Sequence, residues 1–206
     1  MSKHQLANRN ESKTLVCILA AGASRRFGAP KQLAKLASGN LLQCSINTLA
    51  QVASQINGDL ALVLGANEMQ IKPHLKGHFI LLSNLHWQSG MASSIVCAAR
   101  YAEQHHYTHL LICLADQVAL SATDYLTVLN ASRCRRAAAY YQHRLAAPAL
   151  FLAEDYAHLA GLTGDIGAKQ LLRRHYRDGQ LIACALPRAS IDIDTQDQLI
   201  SWQNKL

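Results

Sequence analysis

Residues Thr14 to Leu33 read TLVCILAAGASRRFGAPKQL. The opening TLVCILAA is an unbroken apolar run of strand length, the pattern of a strand covered on both faces. A buried strand needs only a turn at its end. This one opens instead into a small, flexible, cationic loop holding Gly22, Ala23, Ser24, Arg25, Arg26, Gly28, Pro30 and Lys31. In a parallel sheet, ligands gather beyond the carboxyl ends of the strands, so the loop falls where a ligand belongs.

The residue types say which ligand. Ala20, Ala21, Gly22 and Ala23 let backbone approach closely, and successive N–H groups in such a turn form an anion-binding concavity. Arg25, Arg26 and Lys31 add charge suited to phosphates. The loop is neither G-x-x-x-x-G-K-[ST] nor G-x-G-x-x-G, and by spacing alone a solvated cationic turn is the alternative. Asp116 closes a second apolar run, THLLICLAD (Thr108 to Asp116). A carboxylate there suits Mg²⁺ held against a polyphosphate, with a turn or helix-cap aspartate as the alternative.

Outward from these two segments, strands and helices alternate. Helical spacing of Leu42, Ile46, Leu49 and Val52 predicts a helix over Leu41 to Ile56. Strands are expected at Asp59 to Gly65 and His78 to Ser83, with a short helix around Glu68 to Leu75 between them. Met91 to Gln104 reads as a helix opened by Gly90, and Ser121 to Ser132 as one capped by a hydroxyl. RAAAYY, LAAPALFL, LIACALP and SIDID (Ser190 to Asp194) read as late strands. Helices are expected near Glu154 to Leu159, from Asp165 to Tyr176, and from about Gln196. The alternation predicts an α/β fold, a mostly parallel twisted sheet with helices on both faces. With no repeat and no dividing linker, one domain over residues 14–206 is expected. The polar MSKHQLANRNESK, residues 1–13, lacks a hydrophobic signal core and reads as a flexible tail.

Composition narrows the function. The 206 residues carry a formal charge of +7, with 50% hydrophobic and 6% aromatic residues. No apolar run approaches the ~20 residues of a membrane helix. The basic residues fall in short clusters (Arg25-Arg26; Arg133 with Arg135 and Arg136; Arg173, Arg174 and Arg177). With so few aromatics they do not make a nucleic-acid platform. Cys17, Cys44, Cys97, Cys113, Cys134 and Cys184 are scattered with no C-x-x-C, which fits reduced thiols in a cytoplasmic protein. The ten histidines show no metal-ligand spacing.

L-A-A-G-x-S-R-R-F-G-x-x-K followed by L-A-D-Q resembles the MobA-like nucleotidyltransferase family, especially the molybdenum cofactor cytidylyltransferases. The likeness spans nearly the whole chain. WQSGMASSIVCAA (Trp87 to Ala99), LTGDIGAKQLL (Leu162 to Leu172) and IDIDTQDQL (Ile191 to Leu199) are similar to further family segments, in order. The resemblance implies a Rossmann-like nucleotidyltransferase domain that moves CMP from CTP onto a phosphorylated acceptor, molybdopterin foremost, releasing pyrophosphate. It implies Leu19, Ala20, Ala21 and Gly22 around the nucleotide, with Arg26 and Lys31 on the triphosphate. Gly90, Ser93 and Ser94 would meet base and ribose, and Asp165 and Lys169 the acceptor. Mg²⁺ would lie on Asp116 with Asp192 or Asp194, making Lys31, Arg26 and Asp116 the catalytic set. Alternation along Ile191 to Asp194, if extended, puts both aspartates on one side, with Asp192 as metal ligand and Asp194 orienting it.

Three segments depart from the family pattern: Arg144-Leu145-Ala146-Ala147-Pro148, Val118 in place of a proline, and Thr195-Gln196-Asp197-Gln198. They leave the acceptor less defined than the nucleotide. Other NTPs, sugar- or alcohol-phosphate acceptors, or a non-catalytic nucleotide-binding chaperone serving a molybdoenzyme stay open. Asp165 has the alternative of capping the helix that follows it. The arginines at 173, 174 and 177 fit a solvated helix face.

Overall fold

The computed structural model describes residues 12–131, 135–165 and 167–204. The expected tail up to Glu11, together with Ser132, Arg133, Cys134 and Ile166, lies outside the described residues. Lys13, counted with the tail, is part of the folded body. Its carbonyl accepts from the N–H of Thr108 at 2.9 Å, and its ammonium sits 4.1 Å from the Tyr107 ring centre.

The sheet is built outward from β1 (Thr14–Leu19), whose six residues are all buried. β1 pairs in parallel with β4 (Asp59–Leu64) on one side and β6 (His109–Leu114) on the other. β5 (Ile80–Ser83) extends the β4 side, again in parallel. Beyond β6 come β8 (Arg144–Leu152), β7 (Arg136–Tyr141) and β9 (Leu181–Ala185), giving the order β5-β4-β1-β6-β8-β7-β9. β8 alone runs against the rest, antiparallel to both β6 and β7. The reason is local. β7 and β8 are joined by Gln142 and His143, both at positive φ (47° and 58°), the two-residue turn that suits a right-twisted hairpin.

Period-2 alternation splits the core into two faces. Val16 and Ile18 look to one side, where Leu42, Ile46, Leu49 and Val52 of α1 (Leu41–Gln55) and Tyr125 and Val128 of α4 (Ala122–Asn130) cover them. Leu15, Cys17 and Leu19 look to the other. They meet α3 (Met91–Gln104), α5 (Tyr156–Ala160) and α6 (Lys169–Arg177). α3 offers Ala98, Ala99 and Ala102, small residues that let it lie close on the sheet. Caps fix the helix starts: Asn40 accepts from the N–H of Gln43 at 2.8 Å, and Ser121 and Asp124 cap reciprocally.

One expected strand needs correction. Ile191 to Asp194 is not a strand. After β9 the chain makes a short 3-10 turn (Pro187–Ser190), crosses as extended coil, and enters α7 (Gln196–Gln203). Docking of Ile193 against Phe27 and Leu41, not sheet pairing, holds the crossing. A small antiparallel pair, β2 (Lys35–Leu36) with β3 (Gly39–Asn40), and the one-turn α2 (Glu68–Ile71) complete the described elements. Among the described residues no helix is long and apolar enough to cross a membrane.

Candidate active site

β1 and β6 are neighbours, yet β1 leads to β4 on the opposite side. The chain therefore parts at their carboxyl ends and leaves a crevice. The crevice is a cleft of about 610 Å³, open to solvent. Its walls include the whole loop from Leu19 to Arg26, then Lys31, Gln32, Trp87, Gln88, Gly90, Met91, Ser94, Asp116, Asp165 and Asp194.

The loop's hydrogen bonding is one-sided. The carbonyls of Ala20 and Gly22 each accept from Gln32 Nε2 at 3.0 Å, and that of Ala21 accepts from the N–H of Ala66 at 3.0 Å. The Ser24 carbonyl accepts from the N–H groups of Phe27 and Gly28. Yet among the described residues no backbone N–H from Ala21 to Arg26 has a protein partner. Four of the loop's carbonyls, those of Ala20, Ala21, Gly22 and Ser24, are tied down while its donors are left free, which is the condition for an anion nest.

Facing the loop is a charge cluster. Lys31 Nζ donates to Asp116 Oδ2 and to Asp194 Oδ1, each at 2.7 Å, and Arg26 donates to Asp194 Oδ2 at 2.7 Å. Burial works to lower the Lys31 pKa, but the two carboxylates outweigh it and hold the ammonium above its ordinary value. Burial likewise works against the Asp194 carboxylate, and Lys31 and then Arg26 pull it below the usual range. Two hydrogen bonds fix the aspartates relative to each other: the N–H of Ile193 donates to the Asp116 carbonyl at 3.2 Å, and that of Asp194 to Gln198 Oε1 at 2.7 Å. The second belongs to the Thr195–Gln198 capping box of α7, so Thr195 caps the helix and leaves Asp194 free to face the cleft.

The opposite wall is the start of α3. Gly90 has φ 96°, and a Cβ there would come within 2.3 Å of Asp165 Oδ1 and 2.7 Å of the Gly164 backbone. That close approach lets the Gly164 carbonyl accept from the N–H of Ala92 and Asp165 accept from that of Met91. Asp165 therefore serves α3, not α6, which starts four residues later at Lys169 with Ala168 as its N-cap.

The structure brings together Leu19, Ala20, Ala21, Gly22, Arg26, Lys31, Gly90, Ser94, Asp116, Asp165 and Asp194 on one cleft. Three expected residues stand apart. Asp192 is exposed and off the cleft wall, its carboxyl pushed up by burial and by the charges of Asp116 and Asp194. Loss of the expected strand is the reason: without the pleat the two aspartates do not share a side, and Asp194 takes the inward position. Ser93 turns its hydroxyl to the Gly90 carbonyl and receives Asn84 Nδ2, each at 2.8 Å, instead of facing the cleft. Lys169 is exposed at the start of α6, also off the wall.

Three amides escaped the sequence reading. Besides Gln32, buried Asn84 ties both Ser93 and Ser94 to the end of β5. Buried Gln117 donates to the carbonyls of Ala147 and Ala189, anchoring the Asp116 turn to β8 and to the segment that carries Asp194. The only signal for Gln32 and Gln117 was polarity directly beside Lys31 and Asp116, and Asn84 had none.

The donor set suits a hard divalent cation. Asp116 Oδ1 is buried without a hydrogen-bond partner, a costly state for a carboxylate oxygen unless a cation or ligand meets it. Among the described residues no group of three His, Cys, Asp or Glu side chains comes together. The protein thus offers two carboxylates, Asp116 and Asp194, as Mg²⁺ commonly takes beside waters and phosphates.

Comparison with known proteins agrees with this geometry. The chain is 30% identical over 194 residues to the nicotine blue oxidoreductase of Paenarthrobacter nicotinovorans, covering 88% of this chain and 92% of that one. Its fold matches Rv0371c of Mycobacterium tuberculosis H37Rv with a TM-score of 0.76 at 20% identity, over 94% of this chain and 100% of that one. The same mycobacterial protein has also been solved with manganese. The molybdopterin-guanine dinucleotide biosynthesis protein A of Archaeoglobus fulgidus matches with a TM-score of 0.60 at 14% identity, over 93% and 97% of the two chains. Residues 16–179 match the MobA-like NTP transferase domain, and the chain belongs to that nucleotidyltransferase family.

Proposed function

We propose that this enzyme transfers CMP from CTP to a phosphorylated small-molecule acceptor, molybdopterin foremost, and releases pyrophosphate. The observation that carries the proposal is the loop from Ala20 to Arg26, with the carbonyls of Ala20, Ala21, Gly22 and Ser24 tied back and the six N–H groups from Ala21 to Arg26 without a partner among the described residues, beside Lys31 and Arg26.

The reaction needs little acid–base help. An acceptor phosphate oxygen is already anionic. It forms a bond to the α-phosphorus while the bond from that phosphorus to the bridging oxygen of the leaving pyrophosphate breaks. The chain's task is to bring two anions together and to neutralise the charge that gathers on the leaving group. The free loop N–H groups, with Lys31 and Arg26, do this on the triphosphate. Asp116 and Asp194 would hold Mg²⁺, which when bound screens phosphate charge. Lys31, paired to both, keeps the two carboxylates from repelling each other before substrate arrives. The α3 start, with Gly90 and Ser94, lies where base and ribose would rest, and Asp165 borders the acceptor side.

The choice of CTP rests on Leu19-Ala20-Ala21-Gly22, which is similar to the cytidylyl-transferring members. The free thiols Cys17, Cys44, Cys97, Cys113 and Cys184 suit a reducing cytoplasm. Pyrophosphate release, assayed over the four NTPs with molybdopterin, a sugar phosphate and an alcohol phosphate, tests the proposal. Release with CTP and molybdopterin supports it. Release only with another pair moves the substrate and keeps the chemistry, and tight CTP binding without turnover favours a cofactor chaperone. The relative from P. nicotinovorans supports a second reading, a redox enzyme on this fold. Oxidation of a reduced nicotinamide nucleotide by the purified protein with a dye acceptor, and no pyrophosphate release from any NTP, would favour it.

A further inference from the structure

We propose that Gln32 is the positioning residue of the phosphate loop, holding its peptides so that the anion meets donors and not carbonyls. The inference rests on the triphosphate reading above and goes beyond it in assigning a role to a residue that touches no phosphate.

Gln32 is only 2% exposed, in the 3-10 turn directly after Lys31. Its Nε2 gives both hydrogens to loop carbonyls, Ala20 and Gly22, at 3.0 Å each. Its Oε1 accepts from Ser24 Oγ at 3.2 Å. One amide thus uses both donors and an acceptor on three residues of one loop, the full use that a buried amide requires. Ser24 is held in the left-handed region at φ 55°, and Gly22 has open space around the position of a Cβ. Packing therefore does not define the loop at Gly22, although Ala20 and Ala21 before it are buried.

The physical consequence concerns peptide flips. A trans peptide carries its C=O and the following N–H in opposite directions, so fixing a carbonyl fixes the next donor. Gln32 fixes the Ala20 and Gly22 carbonyls, which sets the N–H groups of Ala21 and Ala23. Ala66 fixes the Ala21 carbonyl and so the N–H of Gly22. Without Gln32, two of these three peptides can turn and present oxygen lone pairs to a polyphosphate. The anion would then have to order the loop on binding, and affinity falls by that cost. Among the described residues no other side chain supplies this bond: Lys31, one residue before, donates to Asp116 and Asp194.

The test is calorimetric binding of CTP, inorganic pyrophosphate and cytidine to the wild-type protein, Gln32→Met and Gln32→Asn. Methionine keeps the length and loses all three bonds, and asparagine keeps the amide but is too short to reach both carbonyls. The expected result for Gln32→Met is a loss of about tenfold or more for CTP and pyrophosphate, with cytidine within about twofold. Gln32→Asn should fall between, which keeps the test alive if the methionine variant does not fold. CTP and pyrophosphate affinities unchanged in a folded variant, or falling in step with cytidine, overturn the proposal, because a merely structural amide would move all three alike. Failure of the wild-type protein to bind either phosphate ligand overturns the triphosphate reading itself and the role of Gln32 with it.

Discussion

Lys31 Nζ lies 2.7 Å from Asp116 Oδ2, and the same ammonium reaches Asp194 Oδ1 at 2.7 Å, so one lysine joins residues from opposite ends of the chain. It occupies, in the protein alone, the electrostatic place of a cation between two carboxylates. Lys31→Ala is expected to have two opposed effects. Turnover should fall by about 10²–10³, the scale of losing one charge-stabilising group. Binding of Mn²⁺ to the protein without nucleotide should tighten, by roughly tenfold or more, because Asp116 then lacks its cation and Asp194 keeps only the exposed Arg26. Steady-state assays and the electron paramagnetic resonance signal of free Mn²⁺ measure the two. A weaker Mn²⁺ interaction in the variant would show that the lysine does not compete for that place.

The three late and early aspartates separate by position. Asp116 and Asp194 stand on the cleft and on Lys31, whereas Asp192 is exposed. Asp116→Asn and Asp194→Asn are each expected to lower Mg²⁺-dependent turnover by about 10² or more and to raise the Mg²⁺ concentration for half-activity. Asp192→Asn should leave that concentration within about twofold. Titration of turnover with Mg²⁺ for the three variants decides it, and loss of metal dependence in Asp192→Asn alone would reverse the assignment.

Much of this was legible in the sequence because burial on both faces leaves a plain mark. TLVCIL, DLALVL and HLLICL are continuous apolar runs, and each is a central strand. The loop after the first run and Asp116 after the third followed from the rule that parallel strands bind at their carboxyl ends. What escaped depended on tertiary partners. The turn at Gln142 and His143 lacks the Asn-Gly or Asp-Gly signature, so the reversal of β8 was not visible. Ile191 to Asp194 alternates like a strand but pairs with none, and Ile193 is buried by Phe27 and Leu41 instead. Gln32, Asn84 and Gln117 act through backbone carbonyls and hydroxyls far off in sequence, and no local pattern announces such bonds.

Ionisation gives stability a defined window. Asp194 titrates below its ordinary 3.8 when folded, so its contribution is complete above pH 3.8 and disappears as pH falls through the lower folded value. Lys31 titrates above its ordinary 10.5, so its contribution is complete below pH 10.5 and disappears as pH rises through the higher folded value. Asp192 has the opposite sign: its folded value lies above 3.8, so its charged form opposes folding at neutral pH. Asp192→Asn should therefore raise Tm at pH 7, by no more than about 2 °C for so exposed a group, with the gain vanishing below pH 3.8. Melting curves between pH 3 and 8 check this; a lower Tm at pH 7 contradicts it.

Gly90 is the joint between α3 and the segment carrying Asp165. Its φ of 96° is strained for any side chain, and an added Cβ would sit 2.7 Å from Gly164 backbone atoms that cannot swing aside. Gly90→Ala is expected to cost at least about 2 kcal/mol and to lower Tm by several degrees. The bonds from Met91 and Ala92 to residues 164 and 165 should open with it. Amide hydrogen exchange at Met91 and Ala92, faster in the variant than in the wild type, reports that opening; unchanged exchange would show that the backbone absorbs the methyl.

The proposed preference for CTP makes Ala21 a test of what selects the base. Its methyl is buried at the end of β1, and a Cβ placed on Gly65 would lie 3.0 Å from it and 2.7 Å from the Trp87 Cβ. Ala21 and Trp87 line the cleft, and Gly65 packs against both without room for a side chain. A pyrimidine needs less space than a purine, so under the proposed function the wall is expected to favour CTP over GTP by size and not by a hydrogen-bond pattern. Size discrimination of one methyl is worth about 1–3 kcal/mol, so the preference for CTP should be roughly 10- to 200-fold. Ala21→Gly removes that methyl and should bring the ratio of kcat/KM for CTP and GTP down by about tenfold, chiefly by improving GTP. Gly65→Ala crowds the same wall, and Trp87, packed against it, must move; CTP affinity should fall with the fold intact. Competition between the two nucleotides in one reaction, read by the product formed, measures the ratio directly. If Ala21→Gly leaves it unchanged, the wall at Ala21 does not select the base.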